Sequence, residues 1–260
     1  MTPLEHKYNL TVICPGIRTH NWERLYQSMI ESCGDYTWEL IFVGPKNTDS
    51  STVLADERVS FIEDWGTPIR CQQIGLIHAQ GEYINWAADD GYFLPNILNT
   101  GLNIAYENPG HIVMQKYYEG AVNSVMENED YYKINYHDAT RSNFVPDSYF
   151  GLNVGCVPRK ILLELGGWDC LFEVCPMAYA DFACRAQRAG VKFVIQDEMA
   201  FKCGHMPGRS GDHAPIHDAQ LINDEPMFKH IYNDPESKNR VTIPLNNWQK
   251  IAPRWARRFG

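Results

Sequence analysis

The chain has 260 residues, 44% hydrophobic and 21% charged, enough for one substantial core or two small domains sharing one. Its formal net charge of −9 excludes a broad basic nucleic-acid surface, but not a small anionic ligand held by an arginine, a metal ion or a helix N-terminus. No apolar run reaches the eighteen or so residues that would span a bilayer, and the opening MTPLEHKYNLTVICPG lacks the basic region and long apolar run of a secretion signal, so a cytoplasmic protein is expected.

In chain order, YNLTVICPG predicts a short strand ended by Pro-Gly. NWERLYQSMIESCG places Trp22, Leu25, Tyr26, Met29 and Ile30 at helical spacing, with Gly34 as a stop. WELIFVGPKNTDSS reads as a second strand running into a turn-rich loop, and RVSFIED as a third strand. IRCQQIGLIHAQG reads as a helix closed by Gly81, and EYINWAA as the fourth strand. This alternation predicts an α/β chain with a mostly parallel sheet and helices on its faces, whose ligands bind beyond the carboxyl ends of the strands. The loops there are PGIRTHN, GPKNTDSS, DWGTPIR and ADDG, so Asp89 and Asp90 fall at the expected ligand end.

LPNILNTGLNIAYENPG predicts a further helix and HIVMQKYYEG a strand. The polar, aromatic tract from Ala121 to Phe150 reads as an insertion or a substrate loop. GCVPRKILLELGGWD predicts a strand end, a helix and a Gly-Gly stop; YADFACRAQRAG a helix; VKFVIQ and EMAFKCGH two strands. From Met206 onward the chain is rich in His, Asp, Pro and Asn, and an irregular region is expected. The eight cysteines include no Cys-x-x-Cys pair and several lie in apolar runs, so buried free thiols are expected rather than a structural zinc site.

The N-terminal strand and its proline, VGPKNTDSS, GEYINWAADDGYFLP, and ELGGWD followed by DFACRAQRAG occur in an order that resembles family-two glycosyltransferases, enzymes of the GT-A fold, over Tyr8 to His205. The resemblance implies one GT-A-like domain over 1–260, with a nucleotide-sugar-binding half at 8–110. An acceptor-side half with an irregular C-terminal region and tail would occupy 111–260. It further implies a hexosyltransferase-like enzyme moving a sugar, with inversion, from a nucleotide-diphospho-sugar to a glycan or other hydroxyl acceptor, using Mn2+ or Mg2+. The family's Asp-x-Asp signature falls on Ala88, Asp89 and Asp90. The chain departs from the family at Ala88, which cannot bind metal. It departs again at Gly44, Pro45, Lys46 and Asn47, where acids are usual, and at Ala178 and Tyr179, where Glu-Asp is frequent.

Diphosphate departure builds negative charge, which a hard cation on carboxylate and phosphate oxygens offsets. The expected metal ligands are Asp90 and His205, with Asp89 bonding the sugar or a backbone amide; the bland reading of the Asp pair is a surface turn or helix cap. Pro15, Arg18 and Arg70 are expected at the donor, the arginines as bidentate diphosphate grips. Asp181 is expected to take the acceptor's proton, against the alternative of an i,i+4 pair with Arg185. Trp168, Asp169, His213 and His217 are expected on the acceptor side, Asp169 chiefly fixing its turn. The basic, aromatic tail NNWQKIAPRWARRFG is expected to pack by its tryptophans, and any membrane contact would have to come through it. Two other readings fit the same residues: a sugar-nucleotide or glycan binder that has lost its catalytic acids, and a nucleotidyltransferase.

Overall fold

The computed structural model describes residues 5–45, 52–120, 136–137, 141–142, 149–204 and 211–260. The core is built on strand alternation. In β1 (Tyr8–Pro15), Leu10, Val12 and Cys14 face one side and Ile13 the other; in β2 (Trp38–Gly44), Leu40 and Phe42 face the first side and Ile41 and Val43 the second. Both faces being apolar, the sheet must be covered twice. Helices α1 (Trp22–Ser32) and α3 (Ile97–Glu107) cover the first face, with Trp22 stacked on Phe42 at 3.8 Å. Helices α2 (Pro68–His78), α4 (Arg159–Leu165) and α5 (Cys175–Arg188) cover the second.

The strand order is β3 (Val59–Glu63), β2, β1, β4 (Gly81–Trp86), β10 (Val154–Pro158), β6 (Ile112–Gly120), β11 (Phe193–Gly204) and β5 (Gly91–Phe93), with β7 (Tyr136–His137) paired to β6. Strands β8 (Arg141–Ser142) and β9 (Tyr149–Phe150) pair separately. Pairing is parallel through β3–β2–β1–β4 and between β6 and β11, and antiparallel where β10, β5 and β7 join. The parallel half aligns the carboxyl ends of β1, β2 and β4 along one edge.

Three local expectations change. Gly81 opens β4 instead of closing α2; its N–H donates to Thr11 Oγ1 at 2.8 Å, and a Cβ there would lie 2.4 Å from the Thr11 nitrogen. The two strands expected there merge into one, β11, over Phe193–Gly204, whose register slips between Ile195 and Phe201. The region after Met206 is helical over most of 211–233 and irregular, apart from one short turn of helix at Asn247–Lys250, over 234–255. It contains α6 (Ala214–Ala219), a π-helical turn at Gln220–Asp224 and α7 (Glu225–Asn233), whose Phe228, Ile231 and Tyr232 close the core over α5. Pro215 sits in the first turn of α6, where a missing N–H costs nothing, and Pro226 comes just after the π-helical turn Gln220–Asp224.

All eight cysteines are free; six are buried, and Cys175 and Cys203 are half-buried. Among the described residues, no helix is long and apolar enough to cross a membrane.

Candidate active site

After β4 the chain turns sharply at Asp89 and Asp90. The Gly91 N–H closes the turn on the Ala88 carbonyl at 3.1 Å. The Gly204 N–H, at 2.9 Å, and the Arg24 guanidinium, at 3.2 Å, both donate to the Asp90 carbonyl. The two carboxylates then point to different tasks. Asp89 is 2% exposed and turns back to the loop after β1, accepting from the Ile17 and Arg18 N–H groups at 2.5 Å each and from Arg18 Nη1. A buried carboxylate is tolerated when charge-assisted bonds replace its water, and here they fix the loop that carries Arg18.

Asp90 faces a cavity of about 270 Å3 at the carboxyl ends of β1, β2 and β4. Its Oδ2 lies 3.2 Å from His213 Nε2 and 3.9 Å from Arg18 Nη1, while its Oδ1 is buried without a hydrogen-bond partner among the described residues. Pro15 and Gly16 line the same cavity, and Trp86, Tyr179 and Phe201 supply apolar wall. Gly44 lines it as well, with the Gly16 N–H bonded to the preceding Val43 carbonyl at 2.9 Å. A Cβ on Gly44 would stand 1.9 Å from the Gly16 oxygen, so the ends of β1 and β2 leave no room for the acid that the family shows there.

His213, 8% exposed, stands between two carboxylates. Its Nδ1 is 2.9 Å from Asp212 Oδ1 and its Nε2 is 3.2 Å from Asp90 Oδ2. The Nε2 contact with Asp90 is a hydrogen bond whose direction depends on the tautomer, whereas the Nδ1 contact with Asp212 is one of charge and distance alone. Two neighbouring ligands of one octahedral ion sit about 3 Å apart, so Asp90 and His213 have the spacing of a two-point metal grip. Among the described residues no group of three or more His, Cys, Asp or Glu is placed to hold a metal. Asp90 and His213 are therefore the described cavity residues that could hold a metal ion, as a pair.

No family model matches the chain, and no curated protein matches it. Solved structures do. The crystal structure of S. aureus TarS superposes with a TM-score of 0.57 at 13% identity, over 93% of this chain and 42% of that one. TarS 1–349 gives 0.55 at 12%, over 93% and 68% of the two chains; the same fragment in complex with UDP gives 0.55 at 12%, over 93% and 69%. The likeness is one of fold: GT-A-like, mixed α/β. This chain spans less than half the length of TarS.

Within this GT-A-like frame, Pro15, Arg18, Asp90 and His213 meet at the cavity, with Asp89 bracing them from beneath. Arg70 does not reach it. Its guanidinium grips Asp64 at 3.0 Å and donates to the carbonyls of Trp248 and Ile251, tying α2 to the C-terminal segment. Asp181 does not reach it either. It is fully buried, with Oδ2 2.7 Å from Arg185 Nε and Oδ1 accepting from Tyr232 Oη at 2.8 Å and from Arg240. The i,i+4 pair is thus the reading the structure supports. Trp168, fully buried against Trp86, is core, and Asp169 bonds the Leu171 N–H at 3.0 Å and Arg240 at 2.8 Å, fixing its turn. His217 lies on α6 outside the cavity lining, and His205 lies outside the described residues.

Asp212 and Arg258 bear on the site without having been singled out from the sequence. Burial alone would raise the Asp212 carboxyl, but the hydrogen bond and charge of Arg18, with His213 and Arg258, hold it below the ordinary carboxylate value. Arg258 lines the cavity from the tail helix α8 (Ala256–Phe259), and its only sequence signal is a basic tail, which ordinarily marks a solvated face.

Proposed function

We propose that this chain is a metal-dependent glycosyltransferase that seats a nucleotide-diphospho-sugar, with a hexose as the sugar, in the cavity beyond β1, β2 and β4. The observation that carries the reading is Asp90. Its Oδ1 is a buried acceptor with no hydrogen-bond partner among the described residues, and its Oδ2 shares a ligand-like spacing with His213 Nε2, inside a cavity large enough to enclose part of a nucleotide. The likeness of fold to a chain solved with UDP adds support.

In this reading Asp90 and His213 hold Mn2+ or Mg2+, which supplies positive charge against the leaving diphosphate. The imidazole favours manganese. Asp89 does not touch substrate; it locks the loop that presents Arg18 to the cavity. An inverting course needs a base on the acceptor side, and Asp181, ion-paired and walled off, does not supply it. That same fact favours a second reading, a nucleotide-sugar binder without turnover.

Calorimetry with UDP-sugars and Mn2+ tests the shared premise. Asp90→Asn is expected to weaken manganese-dependent binding at least tenfold, and wild-type affinity in the variant would remove the metal role. Radiolabelled donor with an acceptor panel then separates the two readings, since a binder holds donor and transfers nothing.

A further inference from the structure

Among the described residues, the buried side-chain atoms at the cavity that lack a hydrogen-bond partner include two of opposite character. One is the acceptor Asp90 Oδ1 and the other the donor Arg258 Nη2. The acceptor calls for a cation. The donor, on a guanidinium whose side chain is 12% exposed, calls for an anion.

Arg258 is not alone. Arg18 Nε donates to Asp212 Oδ2 at 2.7 Å, and Arg258 Nη2 stands 3.7 Å from that same oxygen. One carboxylate oxygen therefore sits between two guanidinium groups that would otherwise repel each other. Its distance to Arg258 is too long for a hydrogen bond, so it neutralises the pair without satisfying both members. Three carboxylates meet these arginines at graded exposure. Asp89 is 3% exposed in its side chain, Asp90 15% and Asp212 41%. Asp212 is the one that water can solvate if the arginines turn elsewhere, so releasing it costs least.

We propose that Arg18 and Arg258 form a diphosphate clamp that Asp212 Oδ2 occupies in the absence of ligand, and that a diphosphate takes the two arginines from it. The proposal rests on the nucleotide-diphospho-sugar reading for its ligand and deepens it by naming the subsite and its internal competitor. A diphosphate offers several oxygens where the carboxylate offers one, so both forks can be filled at once. Asp212 Oδ1 keeps its place 2.9 Å from His213 Nδ1, and the arginines alone change partner.

The consequence is a pair of effects with opposite sign. Inorganic pyrophosphate, which carries no base or sugar, is the probe, titrated calorimetrically at fixed Mn2+. Asp212→Asn keeps the side chain's size and an amide oxygen and removes the competing charge, and is expected to tighten binding about three- to tenfold. Arg258→Ala is expected to weaken it tenfold or more, with Arg258→Lys between. In the double variant the gain from Asp212→Asn should largely vanish, because one of its two arginines is gone. Unchanged or weaker binding by Asp212→Asn, or unchanged binding by Arg258→Ala, overturns the proposal. Asp90→Asn in the same titration separates the two levels. If it lowers affinity while Arg258 and Asp212 do nothing, the metal reading stands and the clamp falls. If Arg258 and Asp212 act while Asp90 and Mn2+ do nothing, the clamp stands without the metal. If wild type fails to bind pyrophosphate, both fall.

Discussion

Asp181 shows how a residue's chemistry is set by what lies across the fold from it. Burial pushes its carboxyl up, but Arg185 and Arg240 together hold it below the usual carboxylate value of 3.8. A folded-state value below the unfolded one means that ionised Asp181 stabilises the chain above about pH 4, and that this contribution is lost as the pH falls through the lowered value. Asp181→Asn is therefore expected to cost about 3–5 kcal/mol at pH 7, because it removes the carboxylate paired with buried Arg185 and one of the two paired with Arg240. Urea unfolding checks this, and below pH 4 the gap between variant and wild type should narrow. A catalytic base would behave otherwise, losing transfer while keeping stability. The Arg185 contact was legible from its four-residue spacing. Tyr232 and Arg240 lie 51 and 59 positions further on, and no local pattern reports a contact of that range. The Asp89–Asp90 pair was legible as a strand-end site because sheet topology places it there. The division of the pair, Asp90 toward the ligand and Asp89 toward a backbone amide or the sugar, was legible by resemblance to the family's signature and not from local pattern, since it depends on the turn closed by Gly91 and Gly204.

At the scale of elements, the first half could be read because its strands alternate and its helices carry a one-sided apolar stripe. The antiparallel strand β5 escaped because three residues, Gly-Tyr-Phe, are too few for a period to show. Helices α6 and α7 escaped because proline and polar residues dominate their first turns, while the apolar side chains that bury them come later. Gly44 was read as a missing acid, and the structure gives a steric cause. Gly44→Asp, which installs the family's residue, would force β1 and β2 apart at the Gly16 oxygen. The expected cost is about 1–3 kcal/mol, typical of overpacking, with nucleotide affinity lowered rather than raised because the cavity floor moves. Thermal unfolding and calorimetry on the same preparation check both; a stable variant with tighter binding would mean that the strand ends can open to admit the acid.

For the whole molecule, the C-terminal segment matters as a strap across the ligand end of the sheet. Trp255 is 5% exposed, its N–H donates to the Trp65 carbonyl at 2.8 Å, and its indole donates to Glu173 at 2.8 Å. Phe259 meets the Trp65 ring edge-on at 5.1 Å, and Arg257 joins the same Glu173 carboxylate at 2.7 Å. The tail thus bridges the loop before α2 and the segment before α5, and its buried tryptophan turns toward protein, as the composition of the segment led one to expect. A chain ending at Trp255 separates strap from site. It keeps the buried tryptophan and loses the Arg257 ion pair, a half-exposed contact worth at most about 1 kcal/mol, together with the packing of Phe259. The expected loss is about 1–3 kcal/mol, a melting shift of several degrees that leaves the domain folded. Pyrophosphate affinity should nevertheless fall as far as in Arg258→Ala, because the shortened chain lacks the same guanidinium. If the shortened chain melts lower but binds as tightly as the full chain, the tail acts through packing alone. If it binds as weakly as Arg258→Ala while full-length Arg258→Ala melts like wild type, the tail has two separable roles, a structural one carried by Trp255 and an electrostatic one carried by Arg258.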